Sequence, residues 1–405
     1  MDETPSKSPT GVVTPEGLAY SAEDEYRPAP ETPAGPPAWQ DGSLRIGIHT
    51  SIAGDITNSL EIAHGLGANA LQIFSASPRM WNSGHAHPGS GGQASTTPGA
   101  QQSRVRFSAV ETERFRARRE ELGLGPLVIH ANYLINLASP DRVLRVRSIQ
   151  AFHDELVRAV ALGADYLVVH PGASRGGDSR QAAETVAQSL EQAARGIRLE
   201  GLRILIENTA GQGSALGATF SELKLILDLC PNVPLGVCID TAHLFAAGFN
   251  IRDAQGLEKT LKAIQSTVGL ARVYLVHCND SKTALGSRVD RHQHIGKGKI
   301  GLDAFRRILN HPMLAPVPAG SASATGGVGR AFILETPIDK PGDDFRNVRT
   351  LWRLVGKTIR AVGAVPRDGF RMRVSKPKMA AARGISSKKS RLARRASGYK
   401  TKRKR

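Results

Sequence analysis

The stretch G-V-C-I-D-T-A-H, residues 236–243, joins an apolar run to an aspartate and, three residues further on, to a histidine. Short apolar runs of this kind, rich in β-branched residues, are typical of strands that are buried on both faces of a parallel sheet. Five more such runs end in an acidic residue or a histidine, namely His130, His170, Glu207, His277 and Glu335. We therefore predict six buried strands, each ending in a side chain that can bind a metal.

The spacing of these strands indicates the fold. Most of the strand ends are 33 to 40 residues apart, which fits one strand, one helix and two loops. The longer interval from His277 to Glu335 leaves room for an extra loop. Two further runs, R-I-G-I-H at 45–49 and A-L-Q-I-F at 70–74, raise the number of predicted strands to eight. Eight alternating units predict a TIM (β/α)8 barrel, an α/β fold whose functional residues lie at the C-terminal ends of the strands.

The segments between the strands show helical spacing of their apolar residues. Residues 55–66 form one such segment, and residues 139–162 form a longer one. In the second, we expect Ser139 to be the N-cap, Pro140 to take the first helical position and Gly163 to lie beyond the end of the helix.

One domain with two tails is the expected organisation. The acidic, Pro-rich residues 1–43 have too little apolar surface to offset the entropy lost on ordering, so we expect them to be disordered. The barrel is expected to occupy residues 44–362, and residues 363–405 to form a basic, disordered tail. Two stretches rich in Gly, Ala, Ser and Pro, 83–102 and 315–329, are interpreted as loop insertions in the barrel.

The net charge of +18 is unevenly distributed. Residues 371–405 contain 15 Lys or Arg and no acidic residue, whereas residues 1–41 contain 8 Asp or Glu and 2 Lys or Arg, which leaves +9 for the rest. Clustered Lys and Arg raise the salt-dependent affinity for phosphate backbones. The runs K-K-S-R-L-A-R-R and K-T-K-R-K-R favour nuclear targeting with DNA affinity; a DNA tether alone and a solvated end are the alternatives.

Other sequence features bear on the compartment. No apolar stretch approaches the roughly 18 residues of a membrane span, so we expect no membrane partner. The acidic N-terminal segment has neither the apolar core of a secretory signal nor the arginines of a transit peptide. Cys230, Cys238 and Cys278 form no C-x-x-C pair. We therefore expect an intracellular, reducing compartment, and the basic tail favours the nucleus.

Nine residues at the strand ends and in the loops after them carry the expected chemistry. Zinc binds His nitrogen and carboxylate oxygen, and a catalytic zinc usually has three protein ligands, so nine ligands suggest three zinc ions. Three Zn²⁺ with four carboxylates keep a charge of about +2, which attracts a phosphate and suits in-line phosphoryl displacement. We therefore predict phosphodiester hydrolysis. The nine residues are His130, His170, Glu207, Asp240, His243, His277, Asp290, His292 and Glu335.

Short spacings support two pairs within this set. Asp240 and His243 are three residues apart, so one helical turn after the strand would put both on one face. Asp290 and His292 alternate about Arg291, so an extended segment would project both the same way.

Several motifs between residues 44 and 356 resemble the endonuclease IV family of apurinic/apyrimidinic endonucleases. The resemblance implies a TIM barrel that holds three zinc ions and cleaves double-stranded DNA on the 5′ side of an abasic site, as in base excision repair. The products would be a 3′-hydroxyl and a 5′-deoxyribose phosphate, and repair of 3′ ends is a possible further activity. The motifs are H-A-N-Y-L-I-N-L (130–137), V-V-H-P-G (168–172), I-E-N-T-A-G-Q-G (206–213), V-C-I-D-T-A-H-L-F-A-A-G (237–248), S-R-V-D-R-H (287–292), G-K-G-K-I-G (296–301) and I-L-E-T (333–336).

The resemblance also implies a role for each of the nine residues. Glu207 would bridge the first two zinc ions, and Glu335 would orient or deprotonate the attacking hydroxide. Both are therefore expected to be catalytic. The first zinc would be bound by His130 and His170, the second by Asp240, His277 and Glu335, and the third by His243, Asp290 and His292.

Three further residues match the side chains that the family inserts into the base stack. Tyr133 and Leu134 directly follow the ligand His130, and an aromatic ring and a leucine there would fill the gap left by a missing base. Arg79, in S-P-R-M-W, matches the family's inserted arginine. A nucleotide is extruded from the duplex most easily where its base is absent. The protein could therefore select abasic sites without hydrogen bonds to particular bases. We expect the protein to act as a monomer on abasic duplex DNA.

Two other functions are compatible with parts of the pattern. A metal-dependent sugar isomerase or epimerase uses a similar barrel and similar ligands, but needs fewer metals and no wedge that faces DNA. A non-catalytic DNA-binding protein on a degenerate barrel is the other alternative, although all nine ligands are intact. His49 ends a strand without matching a ligand position, so we interpret it as structural or as a support for a ligand.

Overall fold

The computed structural model describes residues 44–81, 107–176, 178–199, 201–314 and 330–356. Both predicted insertions, 83–102 and 315–329, lie outside these ranges, as do the N-terminal segment and the basic tail. The predicted domain limits at residues 43 and 362 therefore stay predictions.

Eight parallel strands form a closed barrel, which confirms the predicted fold. All eight predicted apolar runs form its strands, and the first strand pairs with the last. The strands are β1 (Arg45–Thr50), β2 (Ala70–Phe74), β3 (Leu127–His130), β4 (Tyr166–Val169), β5 (Arg203–Glu207), β6 (Leu235–Asp240), β7 (Val273–His277) and β10 (Ala331–Leu334), while the short strands β8 (Asp280–Ser281) and β9 (His292–Gln293) form a separate antiparallel pair. Around the barrel the order is β1-β10-β7-β6-β5-β4-β3-β2.

Helices cover the outside of the barrel. None of the helices in the described ranges is long and apolar enough to cross a membrane. The helices are α1 (Thr57–Gly65), α2 (Ala109–Glu121), α3 (Arg142–Leu162), α4 (Ser179–Ala194), α5 (Phe220–Leu229), α6 (Thr241–Ala247), α7 (Ala254–Thr267), α8 (Leu302–Asn310) and α9 (Asp343–Leu354), and Leu270–Arg272 form a 3-10 turn.

The start of α3 differs from the prediction. Asp141 is its N-cap, and the carboxylate accepts hydrogen bonds from the backbone N–H groups of Val143 and Leu144. The expected cap, Ser139, and Pro140 therefore precede the helix, because a carboxylate two residues further on satisfies two helical N–H groups at once. The end was predicted correctly: Gly163 has the left-handed conformation, with φ 66°.

Apolar side chains fill both sides of the strands. One large cluster lies between the strands and the helices, and a smaller cluster fills the barrel interior. Burial on both faces explains why the strands are continuous apolar runs and not alternating ones. The interior is tight at Gly47, where a Cβ would lie 2.3 Å from Cδ1 of Ile333 and 2.7 Å from the carbonyl oxygen of Ala70.

The strand repeat places the polar side chains in one layer above this interior cluster. Side chains two residues apart on a strand point the same way, so the residue two positions after an interior residue faces the C-terminal mouth of the barrel. The interior residues Ala70, Val128, Val168, Leu205, Cys238, Leu275 and Ile333 are followed in this way by Gln72, His130, His170, Glu207, Asp240, His277 and Glu335.

Candidate metal centre

Glu207 lies at the middle of a cluster of histidines at the mouth of the barrel. It ends β5 and is fully buried. Its carboxylate is 2.9 Å from Nδ1 of His277 and 3.3 Å from Nε2 of His130. Nε2 of His170 and Nδ1 of His243 each lie 3.5 Å from it. One carboxylate thus contacts histidines from four different parts of the chain.

Two groups of donor atoms correspond to the first two expected metal sites. His130, His170 and Glu207 each offer one donor atom within 4.8 Å of the others. Glu207, Asp240, His277 and Glu335 form a second group by the same criterion. Glu207 belongs to both groups, which is the arrangement expected of a bridging ligand.

The third group differs in one member from the expected set. His243 and His292 converge with Asp240, which the family resemblance assigns to the second ion. The expected third ligand, Asp290, contacts both histidines: its oxygens lie 3.2 Å from Nε2 of His243 and 3.4 Å from Nε2 of His292. All nine residues therefore lie in one cluster, with Asp290 at its exposed edge.

Local structure explains how the third group is assembled. Helix α6 starts directly after β6, and the Asp240 carboxylate caps it by accepting the backbone N–H of His243 at 2.7 Å. The predicted helical turn is therefore present. His292 comes from β9, which pairs with Ser281 of β8. The predicted extended segment through Asp290 is regular only from His292 onward.

Charge pairing within the cluster shifts several pKa values strongly. Burial would raise the pKa of Glu207, but the neighbouring His277 and His170 hold it well below its usual range. Burial likewise opposes the charged form of Asp290, yet the hydrogen bond from His243 lowers its pKa to about 2. These carboxylates are therefore ionised at neutral pH and concentrate negative charge at the mouth of the barrel.

Backbone carbonyls orient three of the histidines. Nδ1 of His130 lies 2.8 Å from the backbone oxygen of Ala131. Nδ1 of His243 lies 2.9 Å from the backbone oxygen of Asn208, and Nδ1 of His292 lies 3.3 Å from that of Glu335. A carbonyl can only accept, so each Nδ1 carries a proton, and each Nε2 faces the carboxylates, where it can either donate a proton to them or bind a cation held between them.

The donor set fits divalent cations. Nε2 of His292 is buried and has no hydrogen-bond partner among the described residues, although a buried polar atom without a partner is costly. Five imidazoles and four carboxylates match the ligand preference of zinc. Cys238 also lies near Glu207 and His277. Burial raises the pKa of its thiol to about 12, which disfavours a thiolate ligand there.

Three buried amides that the sequence did not single out support the ligands. Asn279 donates to Asp240 at 2.6 Å and to Glu335 at 3.2 Å. Asn208 accepts the backbone N–H of Asp240 at 2.6 Å. The third is Gln72 on β2, which donates to Glu335 at 2.5 Å. Its signal was visible in the sequence, because a glutamine inside the run A-L-Q-I-F is unusual for a buried strand.

The expected DNA-contacting residues lie on two adjoining loops at the rim. Tyr133 is 61% exposed, and its ring meets the edge of Phe74 at 5.2 Å. Arg79 is exposed, and Leu134 is half-buried. Asn132 joins the two loops: its amide nitrogen donates to the backbone oxygens of Ser77 and Met80, at 2.9 and 2.8 Å.

Comparison with known proteins places this geometry in a family. Residues 60–314 match the family model of the xylose isomerase-like TIM barrel. A probable endonuclease 4 of Solibacter usitatus is 46% identical over 319 residues, covering 78% of this chain and 98% of the relative. A probable endonuclease 4 of Chloroflexus aurantiacus is 40% identical over 317 residues, covering 77% of this chain and 98% of the relative.

Solved structures agree with these relatives. Endonuclease IV from Thermus thermophilus superposes with a TM-score of 0.61 at 38% identity, over 76% of this chain and 98% of that one. A D-tagatose 3-epimerase-like protein superposes with a TM-score of 0.52 at 17% identity, over 77% of this chain and 97% of that one, which shows a shared fold alone. The likeness over nearly the full length of the relatives shows that this chain belongs to the endonuclease IV family of apurinic/apyrimidinic endonucleases.

Proposed function

We propose that this protein is a zinc-dependent endonuclease that hydrolyses the phosphodiester on the 5′ side of an abasic site in double-stranded DNA. It would leave a 3′-hydroxyl and a 5′-deoxyribose phosphate, as the first incision of base excision repair. The observation that carries the proposal is the convergence of nine histidine and carboxylate side chains around the buried Glu207. Repair of blocked 3′ ends would use the same centre.

The chain's own residues supply a binding site for three zinc ions. His130, His170 and Glu207 would hold the first ion, and Glu207, Asp240, His277 and Glu335 the second. His243, Asp290 and His292 would hold the third. Bound zinc supplies Lewis acidity at phosphate oxygens and lowers the pKa of coordinated water.

Glu335 has the surroundings of a residue that orients the nucleophile. Its pKa is held well below the usual range, against the effect of burial, by the neighbouring His277. Its two oxygens accept from Gln72 and Asn279. A carboxylate held in this way has a fixed direction and can accept a hydrogen bond from an attacking water.

The rim loops give the proposed selectivity. Tyr133 and Met80 lie on the two rim loops and are 61% and 59% exposed, so both side chains are accessible to DNA. Side chains of this size would fill the space of a missing base while Arg79 contacts the opposite part of the stack. Extrusion of an abasic nucleotide into the centre is then favoured, because no base has to be unstacked.

Incision of a duplex with a single tetrahydrofuran abasic analogue tests the proposal. The zinc-loaded protein should cut on the 5′ side of the analogue. Labelling the damaged strand first at its 5′ end and then at its 3′ end identifies both products. Protein stripped of metal should not cut, and added zinc should restore cleavage. The variant Glu207→Gln should cleave at least about 100-fold more slowly, because it removes the negative charge of the carboxylate that would bridge two zinc ions. Absence of incision by the zinc-loaded protein would refute the proposal.

The sugar epimerase alternative predicts a different result. It requires turnover of a ketohexose and fewer than three ions per chain. Metal analysis of the active protein together with an epimerisation assay separates the two functions. Three ions per chain and cleavage of the abasic duplex would exclude the epimerase.

A further inference from the structure

β2 places a glutamine where the neighbouring strands place metal-binding side chains. Gln72 follows the interior residue Ala70 by two positions and is fully buried. Burial of an amide is costly unless its donors and acceptors are satisfied. The partners of Gln72 therefore indicate what it does in the centre.

Two contacts fix the direction in which the amide points. Its Nε2 lies 2.5 Å from Oε1 of Glu335, and a carboxylate oxygen accepts hydrogen bonds. Its Oε1 consequently faces Nε2 of His277, at 2.8 Å. An amide oxygen can only accept, so Nε2 of His277 must carry a proton. The second amide hydrogen has an acceptor in Nδ1 of His49, at 3.0 Å.

This arrangement determines which nitrogen of His277 is free to bind a cation. With the proton on Nε2, the neutral ring has its lone pair on Nδ1. Nδ1 lies 2.9 Å from Oε1 of Glu207 and 3.2 Å from Oε2 of Glu335. The lone pair would therefore bind a cation held at the place where these two carboxylates converge.

His277 differs in this respect from the other oriented histidines of the centre. In His130, His243 and His292 a backbone carbonyl holds Nδ1, and Nε2 faces the carboxylates. In His277 the ring is reversed, and a side chain replaces the carbonyl. A backbone carbonyl survives any substitution, whereas this contact depends on the identity of residue 72.

We infer that Gln72 is a positioning residue of the metal centre, which holds His277 in the tautomer that presents Nδ1 and fixes Glu335 beside it. The inference rests on the proposed function, in which Glu207, Asp240, His277 and Glu335 bind one ion. Gln72 touches neither the ion nor the DNA. Its loss should weaken one zinc site and leave the other two in place, because His130, His243 and His292 keep their backbone partners.

The test compares Gln72→Met, which removes both polar contacts at similar volume, with Gln72→Glu, which keeps an acceptor for the His277 proton. Gln150→Met is the matched control, since Gln150 is a partly buried amide on α3 that donates to Asp154. Zinc affinity is measured by titration in a zinc-buffered solution, with metal analysis of the dialysed protein. The ring nitrogens of ¹⁵N-histidine-labelled protein are followed by NMR, and a His277→Gln variant identifies the His277 signals.

Gln72→Met should weaken one zinc ion by about 10- to 100-fold, as is usual when a partner of a ligating histidine is removed. The His277 signals should no longer show a single tautomer. Gln72→Glu should keep the wild-type tautomer while binding zinc less tightly than wild type, since its second oxygen repels Glu335. Circular dichroism shows whether each variant is folded.

Wild-type zinc affinity in a folded Gln72→Met, or a His277 protonated at Nδ1 in the zinc-loaded wild type, would overturn the inference. An equal loss in Gln150→Met would overturn it as well. None of these readouts depends on cleavage. Failure of abasic incision by the wild type refutes the proposed function separately, and a normal zinc site in Gln72→Met refutes only the role of Gln72.

Discussion

Asp280 shows at the scale of one residue how a sequence motif obtains its shape. Its carboxylate is fully buried and accepts backbone N–H groups from Ile300 at 2.9 Å, Gly296 at 2.9 Å and Gly298 at 3.0 Å. A Cβ on Gly298 would lie 2.4 Å from Oδ1 of Asp280. Gly298 of G-K-G-K-I-G is thus required because the loop wraps its backbone around a carboxylate, whereas Gly296 and Gly301 are required by their positive φ values of 78° and 85°.

The variant Asp280→Asn should destabilise the protein by about 3 kcal/mol. It replaces one acceptor oxygen by an NH₂ group that faces backbone donors, so at least two buried N–H groups lose their partner. Urea unfolding of metal-free protein measures the change. Asp303→Asn is the control, because the Asp303 side chain is 73% exposed and pairs with Arg306 at the surface. Equal unfolding midpoints for the two variants would contradict this explanation of the motif.

The residues of the site were predictable to the extent that they end strands. The six expected ligands that end or directly follow a barrel strand lie in the cluster because the C-terminal ends of these strands meet at one mouth of the barrel. The other three, His243, Asp290 and His292, lie on α6, on the segment before β9 and on β9. The supporting residues Gln72, Asn208 and Asn279 could not be assigned partners from the sequence. Their contacts join different strands, as with Gln72 and Glu335, which are 263 residues apart. The partition of Asp240 and Asp290 between ions depends on loop geometry, which no spacing rule specifies.

At the scale of elements, a single amide joins the loop after β2 to the loop after β3. Asn132 is 8% exposed. Besides its two bonds to the first loop, its oxygen accepts the backbone N–H of Leu134 at 2.7 Å. The segments that carry Arg79 and Tyr133 are therefore held in a fixed relation before DNA binds.

Replacement of Asn132 by alanine should separate these two loops. We expect KM for the abasic duplex to rise by roughly 5- to 30-fold, with kcat nearly unchanged. The reason is that the conformational entropy of ordering the two loops would then be lost when DNA binds. Zinc content should stay at the wild-type value. Steady-state incision kinetics measure both constants.

Asn310→Ala provides a matched control for this variant. Asn310 also donates to two backbone oxygens, those of Arg306 and Leu354, but it lies on α8 away from the rim. It should leave KM unchanged. A wild-type KM in Asn132→Ala, or an equal rise in both variants, would show that the link does not organise the DNA-contacting loops.

The order of elements was predictable, whereas one helix start was not. Eight apolar runs gave eight strands, because continuous burial leaves a clear mark in composition. The start of α3 was misplaced by the choice between Ser139 and Asp141. Both residues are good N-caps, and only the path of the chain from β3 decides which of them meets the first free N–H groups.

At the scale of the whole molecule, we propose that the basic tail serves nuclear targeting and DNA affinity and that the protein works as a monomer. Removal of residues 371–405 takes away 15 positive charges. Zinc content and incision at low salt should be unchanged, because the nine ligands lie between His130 and Glu335. Affinity for duplex DNA at moderate salt should fall, and log K against log salt should become less steep.

A full-length variant with the tail lysines and arginines replaced by glutamine separates charge from length. It should behave like the truncated protein in binding, and a fluorescent fusion of either should stay outside the nucleus. Sedimentation of the wild type checks for a monomer. Loss of zinc or of cooperative unfolding on truncation would instead make the tail a structural part of the molecule.

Closure of the barrel has a consequence for the order of events during synthesis. β1 pairs with β10, and Glu335 meets Gln72 only when this seam forms. A growing chain that has emerged as far as His277 already carries six of the nine proposed metal ligands, but it lacks Asp290, His292 and Glu335. Contacts between distant parts of a chain form late. The complete nuclease centre therefore arises only after translation of the last strand, so a chain terminated before Ala331 would lack the site that cuts DNA.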